Sequence, residues 1–96
     1  MDALKAAPDV YSLIMENERV RVLRIKFKPG QKAVMHSHPN HVICVIKDGK
    51  VKITLPDGKA SEVTLKAGQA IWMQAGQHSA ENIGRTEADN IVVELK

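Results

Sequence analysis

The amino-acid sequence predicts a single all-β domain, an antiparallel β-barrel or jelly-roll sandwich. Three observations carry this. Turn signals stand at Pro29-Gly30, Pro39-Asn40, Asp48-Gly49, Asp57-Gly58, Ala67-Gly68, Ala75-Gly76 and around Gly84, spaced about nine residues apart. The runs between them are short and rich in β-branched residues. After residue 16 no stretch keeps the i, i+3, i+4, i+7 apolar spacing of a helix over two turns.

Taken in order, the first eight residues read as a loose arm, or as an edge strand exchanged with a partner subunit. "VYSLIM" (10–15) is the first strand of the domain. "RVRVLRIKF" (19–27) changes phase: Val20 and Val22 share one face, Leu23, Ile25 and Phe27 the other. That predicts a bulge or bend near Val22, as a strand crossing between two sheets requires. "HVICVIK" (41–47) is apolar from Val42 to Ile46 and predicts a strand covered on both faces. "KVKITL" (50–55) alternates, with Val51, Ile53 and Leu55 inward and Lys50, Lys52 and Thr54 outward. "KDGK" (47–50) and "PDGK" (56–59) have the Asp-Gly chemistry of tight hairpins. "SEVTL", "AIWMQ" and "NIVVEL" complete the set, and no domain boundary, repeat or low-complexity segment interrupts residues 1–96.

Composition narrows the function classes. Ninety-six residues with 44% apolar and 26% charged side chains suit one small domain with a single core. Aromatics make up only 3%, so Val, Ile, Leu and Met must fill the interior. No apolar run approaches the roughly 20 residues that cross a bilayer. The opening "MDALKAAPDVYSLIMENERV" lacks a signal-like apolar block, so a cytoplasmic protein without a membrane partner is expected. Net charge is +3, with 14 Lys and Arg against 11 Asp and Glu. The cations at Arg19, Arg21, Arg24, Lys26, Lys28 and Lys32 lack the aromatic platforms of a nucleic-acid groove, because the chain has only Tyr11, Phe27 and Trp72. They read as a solvated strand face. The single cysteine, Cys44, excludes an internal disulfide and suits a reducing compartment.

Chemistry concentrates in "HSHPNH" (36–41), which holds three of the four histidines, the fourth being His78. On a strand, residues two apart point the same way. His36 and His38 therefore project together, roughly 6–7 Å apart along the chain, a spacing that lets two imidazoles converge on one ion. A polar loop is the competing reading of the cluster, and a third ligand must come from His78 or a carboxylate.

The stretch "PGQKAVMHSHPNHVICVIKDG" followed by "GQAIWMQAGQHSAENIG" resembles the two signature motifs of the cupin family, over about residues 18–95. Gly30, His36, His38 and Gly49 fall in register with the first motif; Gly68, Gly76, His78 and Asn82 match the second. The short stretch between them, 50–67, suits a compact one-domain cupin of the cupin 2 type. The sequence departs at three points: Val42 stands where the family has a metal-binding glutamate, Gln74 replaces a proline, and one residue is missing between Gly76 and His78. The resemblance implies the cupin double-stranded β-helix and one divalent ion per chain (iron, zinc, nickel or manganese) held by His36, His38 and His78. Members without the carboxylate bind metal through three histidines, thiol dioxygenases among them; other members have lost the metal.

The motif alignment turns Val42 inward, and with it Cys44 and Ile46. His41 then faces away, as a surface or supporting residue, unless the Pro39-Asn40 bend rotates it into place as a fourth ligand. Cys44 reads as a small buried hydrophobe. Trp72 is expected in the core or pocket wall, Gln74 as a ligand-orienting residue or a strand end, and Asn82 as a turn support. An ion held by three neutral imidazoles keeps its double charge and attracts a small anionic chelator. A non-haem dioxygenase is the leading enzyme class, with isomerase-type chemistry on another ion beside it. The alternatives are a non-catalytic binding or sensor module and a structural dimer with a vestigial site. No general base is evident among Glu62, Glu81, Glu87 and Glu94. A homodimer is expected from the apolar "VICVI" strand, and loss of metal as pH falls through about 6 follows from ordinary imidazole titration.

Overall fold

A computed structural model describes residues 1–96. The chain forms nine strands: β1 Tyr11–Glu16, β2 Val20–Phe27, β3 Lys32–His38, β4 His41–Val45, β5 Gly49–Thr54, β6 Ala60–Leu65, β7 Ala70–Met73, β8 Gly76–Asn82 and β9 Ala88–Leu95; seven fall on the runs named above, and β3 and β8 are added to them. They form two antiparallel sheets, β1-β2-β9-β4-β7 and β3-β8-β5-β6. The inner faces of the two sheets make the core, in which Leu23, Ile25 and Phe27 of β2 meet Val92 of β9, Ala33 of β3 and Ala80 of β8. A second group, Val45, Val51 and Leu65, closes the opposite end.

The amino-terminal residues are neither loose nor a strand. Residues Ala3–Ala6 form one helical turn, α1, capped by the Asp2 carboxylate, which accepts from the Leu4 N–H (2.9 Å) and the Lys5 N–H (3.3 Å). Ala3 and Ala7 are buried in the main core, and the Ser37 N–H donates to the Met1 carbonyl at 2.8 Å. The small side chains let this turn lie close against β3. It thereby covers backbone that an edge strand would otherwise expose.

The phase change of β2 has a different cause from the bulge expected at Val22. β2 pairs with β9 in unbroken register from Val20 to Phe27. The extra residue is in β1, where Leu13 and Met15 oppose Leu23 and Val22. What changes along β2 is the chemistry of the inner face: Arg21 shares it with Leu23, Ile25 and Phe27. The two Asp-Gly turns also differ. Asp57-Gly58 is a hairpin tip between β5 and β6, with Gly58 at φ +90°. Asp48-Gly49 connects strands of different sheets, so no tight hairpin forms; the Asp48 side chain accepts from the Ala67 N–H at 2.8 Å. β4 is covered on one face only, for Val42 and Cys44 on the other stay half-buried and Ile46, beyond the strand, is exposed.

Asn82 supports the turn after β8. Its amide donates to the carbonyls of Phe27 (3.0 Å) and Thr86 (2.9 Å), and its Oδ1 accepts from the Gly84 N–H (2.8 Å), all with the residue 1% exposed. Asn82→Ala removes three hydrogen bonds, one fully buried and two partly so, and should destabilise the fold by about 2–4 kcal/mol. Urea unfolding that shows a loss under about 1 kcal/mol would contradict this account of the turn.

Candidate metal centre

A β-bulge sets the histidines. Between Ala33 and His36, β3 advances three residues while β8 advances two, from Ala80 to His78. The extra residue switches the parity of β3, so that Ala33, His36 and His38 all face the interior while Val34 and Met35 are pushed outward. His36 then stands directly across from His78. Ring centroids are 4.8 Å apart for His36–His38, 4.8 Å for His36–His78 and 5.2 Å for His38–His78. One ring nitrogen from each lies within 4.8 Å of the other two. Two nitrogens bound to one ion at about 2.0–2.2 Å each span at most about 4.4 Å, so little movement is needed to close the set on a cation.

Backbone and side-chain acceptors assign the tautomers. The His36 Nδ1–H donates to the Val34 carbonyl (2.6 Å), the His41 Nδ1–H to the Pro39 carbonyl (2.7 Å) and the His38 Nδ1–H to the Glu94 carboxylate (2.6 Å). Each Nε2 is left with a bare lone pair. The buried Tyr11 hydroxyl donates between those of His36 (3.1 Å) and His38 (3.4 Å). Glu94 also accepts from Arg21 (2.8 Å), whose guanidinium reaches Asp2 at 3.3 Å. The chain of contacts therefore runs from the cap of α1 to the His38 ring. Burial alone would raise the Glu94 carboxyl, but the hydrogen bonds from His38 and Arg21 outweigh it and hold its pKa below the usual carboxylate value.

Burial and the neighbouring rings hold His36, His41 and His78 toward the neutral form. Burial, reinforced by its histidine neighbours, lowers His78 to about 3. His36 and His41 are lowered as well, chiefly by burial. Neutral imidazoles with converging lone pairs are a good donor set for a divalent first-row ion, and an orphaned acceptor among them, the buried His41 Nε2 without a partner in the chain, fits the same chemistry.

Several expected pocket residues lie elsewhere. β4 enters with the opposite parity: His41, Ile43 and Val45 face in, and Val42 and Cys44 face out. His41 is 1% exposed, with its ring 4.5 Å from that of His38. The inward ring is held by the Pro39-Asn40 turn, whose Pro39 carbonyl accepts the His41 Nδ1–H at 2.7 Å. Trp72, paired with Val42, is on the outer face and 53% exposed; Ile71 and Met73 line the cavity in its place. Gln74 is exposed beyond the end of β7. Arg21, expected among solvated cations, is half-buried against Glu94. Sequence reasoning did not place Glu94, Arg21 or Tyr11. Alternation along "ADNIVVEL" about the buried Val92 already puts Asn90 and Glu94 on the core face, and Arg21 shares parity with Leu23. Tyr11 had no comparable signal.

Comparisons with known proteins agree with this architecture. The family described as cupin domain matches residues 23–94. A cupin domain from Bordetella pertussis Tohama I superposes with a TM-score of 0.84 at 26% identity, covering 91% of this chain and 92% of that one. An uncharacterized conserved protein with a double-stranded β-helix domain, from Klebsiella pneumoniae, superposes at 0.72 with 27% identity, over 90% and 75% of the two chains. An RmlC-like cupin family protein from Methanocaldococcus jannaschii gives 0.70 at 22% identity over 90% and 78%, a likeness of fold alone. The comparison with curated proteins finds no match.

The lowered histidines define a pH dependence. In the unfolded chain they protonate near the ordinary value of 6.5, whereas His78 in the fold does so only near 3. Between these values the unfolded state binds more protons, so stability of the metal-free protein rises with pH, by up to about 1.4 kcal/mol per unit for each such histidine. Glu94, also lowered, adds to the loss below its unfolded value of 4.5. Urea titrations in chelator should show stability falling steadily from pH 7 to pH 4; a flat profile would contradict the neutral cluster.

Proposed function

The chain belongs to the cupin family, and we propose that it is a metal-binding member that holds one divalent ion through His36, His38 and His78 and takes a small anionic organic molecule on that ion. The observation that carries this is the convergence of three ring nitrogens from two strands, within 4.8 Å of one another, at the polar end of a cavity otherwise walled by apolar side chains. With no carboxylate among the donors, the ion keeps its charge and favours an anionic chelator. With iron(II), such a site supplies non-haem dioxygenase chemistry, the enzyme class we favour.

The chain's own residues prepare the site. Glu94 fixes the His38 tautomer and the orientation of its ring. Tyr11 caps the lone pairs that an ion would take, so an ion that displaces it frees a buried hydroxyl to donate to the molecule held there. His41 adds an acceptor on the same wall. A second reading, a non-catalytic binding or sensor module, is favoured by one feature: the buried carboxylate at the site, Glu94, is committed to His38 and Arg21, so no free carboxylate base faces the cavity.

We also propose a homodimer in a reducing, cytoplasmic setting. Met15, Val22, Val93, Val42 and Trp72 are consecutive cross-strand partners. They lay an apolar row across the outer face of the five-stranded sheet.

Elemental analysis of untagged protein should find close to one ion per chain, and none in His38→Ala. Equal, negligible metal in both would end the proposal. Glu94→Gln should keep the site but weaken metal binding by roughly 10–100-fold. Oxygen-electrode assays of iron-loaded protein with thiols, diketones and hydroxy acids separate the two readings, since saturable binding without oxygen uptake selects the binding module. Val42→Asp should convert a dimer to a monomer in sedimentation velocity, with the metal retained.

A further inference from the structure

The cavity beside the histidines has a second polar feature that metal binding does not use. Sixteen residues line it. His38, His41, His78 and the Tyr11 hydroxyl gather at one end, and every other wall residue but one is apolar. The exception is Asn90 of β9. It is 4% exposed, and its Oδ1 is buried without a hydrogen-bond partner in the chain. Its cross-strand partners are Ile25 and Val45, both buried, so the amide stands on an apolar face where buried polar groups are normally paired.

Register places it relative to the metal end. Arg21, Glu94, His41 and Met73 form one cross-strand row, and Ile25, Asn90 and Val45 form another, four residues further along β9. At the usual strand rise the two rows are roughly 13 Å apart. The space between them is narrow: the cavity volume is about 80 Å³, about half the roughly 150 Å³ of a dry pocket that takes up benzene. An apolar space of this volume, with polar groups from two separate cross-strand rows on its wall, takes a short aliphatic body and is too small for a ring.

We infer that Asn90 reads the far end of the molecule the metal anchors, and that this molecule is an acid with a short aliphatic body and a hydroxyl, or an equivalent hydrogen-bonding group, remote from its chelating head. The anchoring of the head rests on the metal reading above; the role of Asn90 does not. Its side chain offers a carbonyl acceptor and an NH2 donor, so a terminal hydroxyl satisfies the buried Oδ1. An analogue without the hydroxyl leaves that oxygen unpaired, which is how a polar anchor in an apolar pocket discriminates. Solvent held at Asn90 is the competing account.

The test is calorimetric titration of zinc-loaded full-length protein with ω-hydroxy carboxylates of three to six carbons, each beside the plain carboxylate of equal length. Zinc is measured on the same samples. At one chain length the hydroxy acid should bind at least about ten-fold more tightly. Asn90→Leu should keep its zinc, gain thermal stability and lose that preference; Asn90→Ala is the second variant should leucine prove too large. Equal affinities at every length, no binding by any of the acids, or a preference that survives in both variants would overturn the inference. Wild type that binds no zinc yet keeps a preference dependent on Asn90 would remove the metal reading and leave this one standing.

Discussion

One extra residue in β3 governs this site. Strand parity is strict, so a regular strand could bury Ala33 or the pair His36 and His38, but not both sets. The bulge between them lets Ala33 pack in the core while the two imidazoles turn inward and meet His78 across the ladder. The Val34 carbonyl, freed from regular pairing, accepts the His36 Nδ1–H at 2.6 Å. The local defect thus aims the ring and also assigns its tautomer. A regular β3 with Ala33 inside would hold both histidines in solvent, and the rest of the arrangement would have nothing to organise.

The second constraint is electrostatic. A buried carboxylate is costly unless paired and hydrogen-bonded, and Glu94 meets both conditions through Arg21 and His38. Arg21 is in turn shared with Asp2, the cap of α1. The amino-terminal turn is therefore coupled to the metal end of the barrel by two ion pairs, one half-exposed and one buried. The exposed member contributes little by itself. Its value is positional, because it keeps Arg21 aimed at the carboxylate that orients His38.

The sequence was most informative where chemistry is repetitive. Seven of the nine strands, the inward alternation of Val51 and Ile53, and the joint projection of His36 and His38 were legible from short patterned runs; β3 and β8, whose polar residues hide the pattern, were not among those runs. It was misleading where one residue decides parity. "HVICVIK" is apolar on both faces, so nothing in it says whether His41 or Val42 points inward, and motif spacing selected Val42. The structure selects His41, whose ring Nδ1–H donates to the Pro39 carbonyl of the preceding turn at 2.7 Å. Val42 then joins Trp72 outside. Glu94 and Arg21 were legible in principle, since each alternates with a core residue. Charged side chains on an inner face are discounted by the same hydrophobic patterning that identifies the face. Tyr11 depends on a long-range contact between β1 and β3 that no local pattern encodes.

A chain of this size has little core to spare, and that gives the cavity its meaning. A small domain gains stability by filling its interior. Here Ile43, Ile53, Ile71 and Val92 line an open space where larger side chains would have packed, and two buried acceptors, His41 Nε2 and Asn90 Oδ1, face it without partners. Each departure lowers stability, and a sequence under selection for folding alone would remove them with single substitutions. Their shared location is the informative point. Polar groups left unpaired in two separate rows of one apolar cavity, with the histidine cluster beside one of them, describe the outline of a bound molecule more closely than they describe an imperfect core.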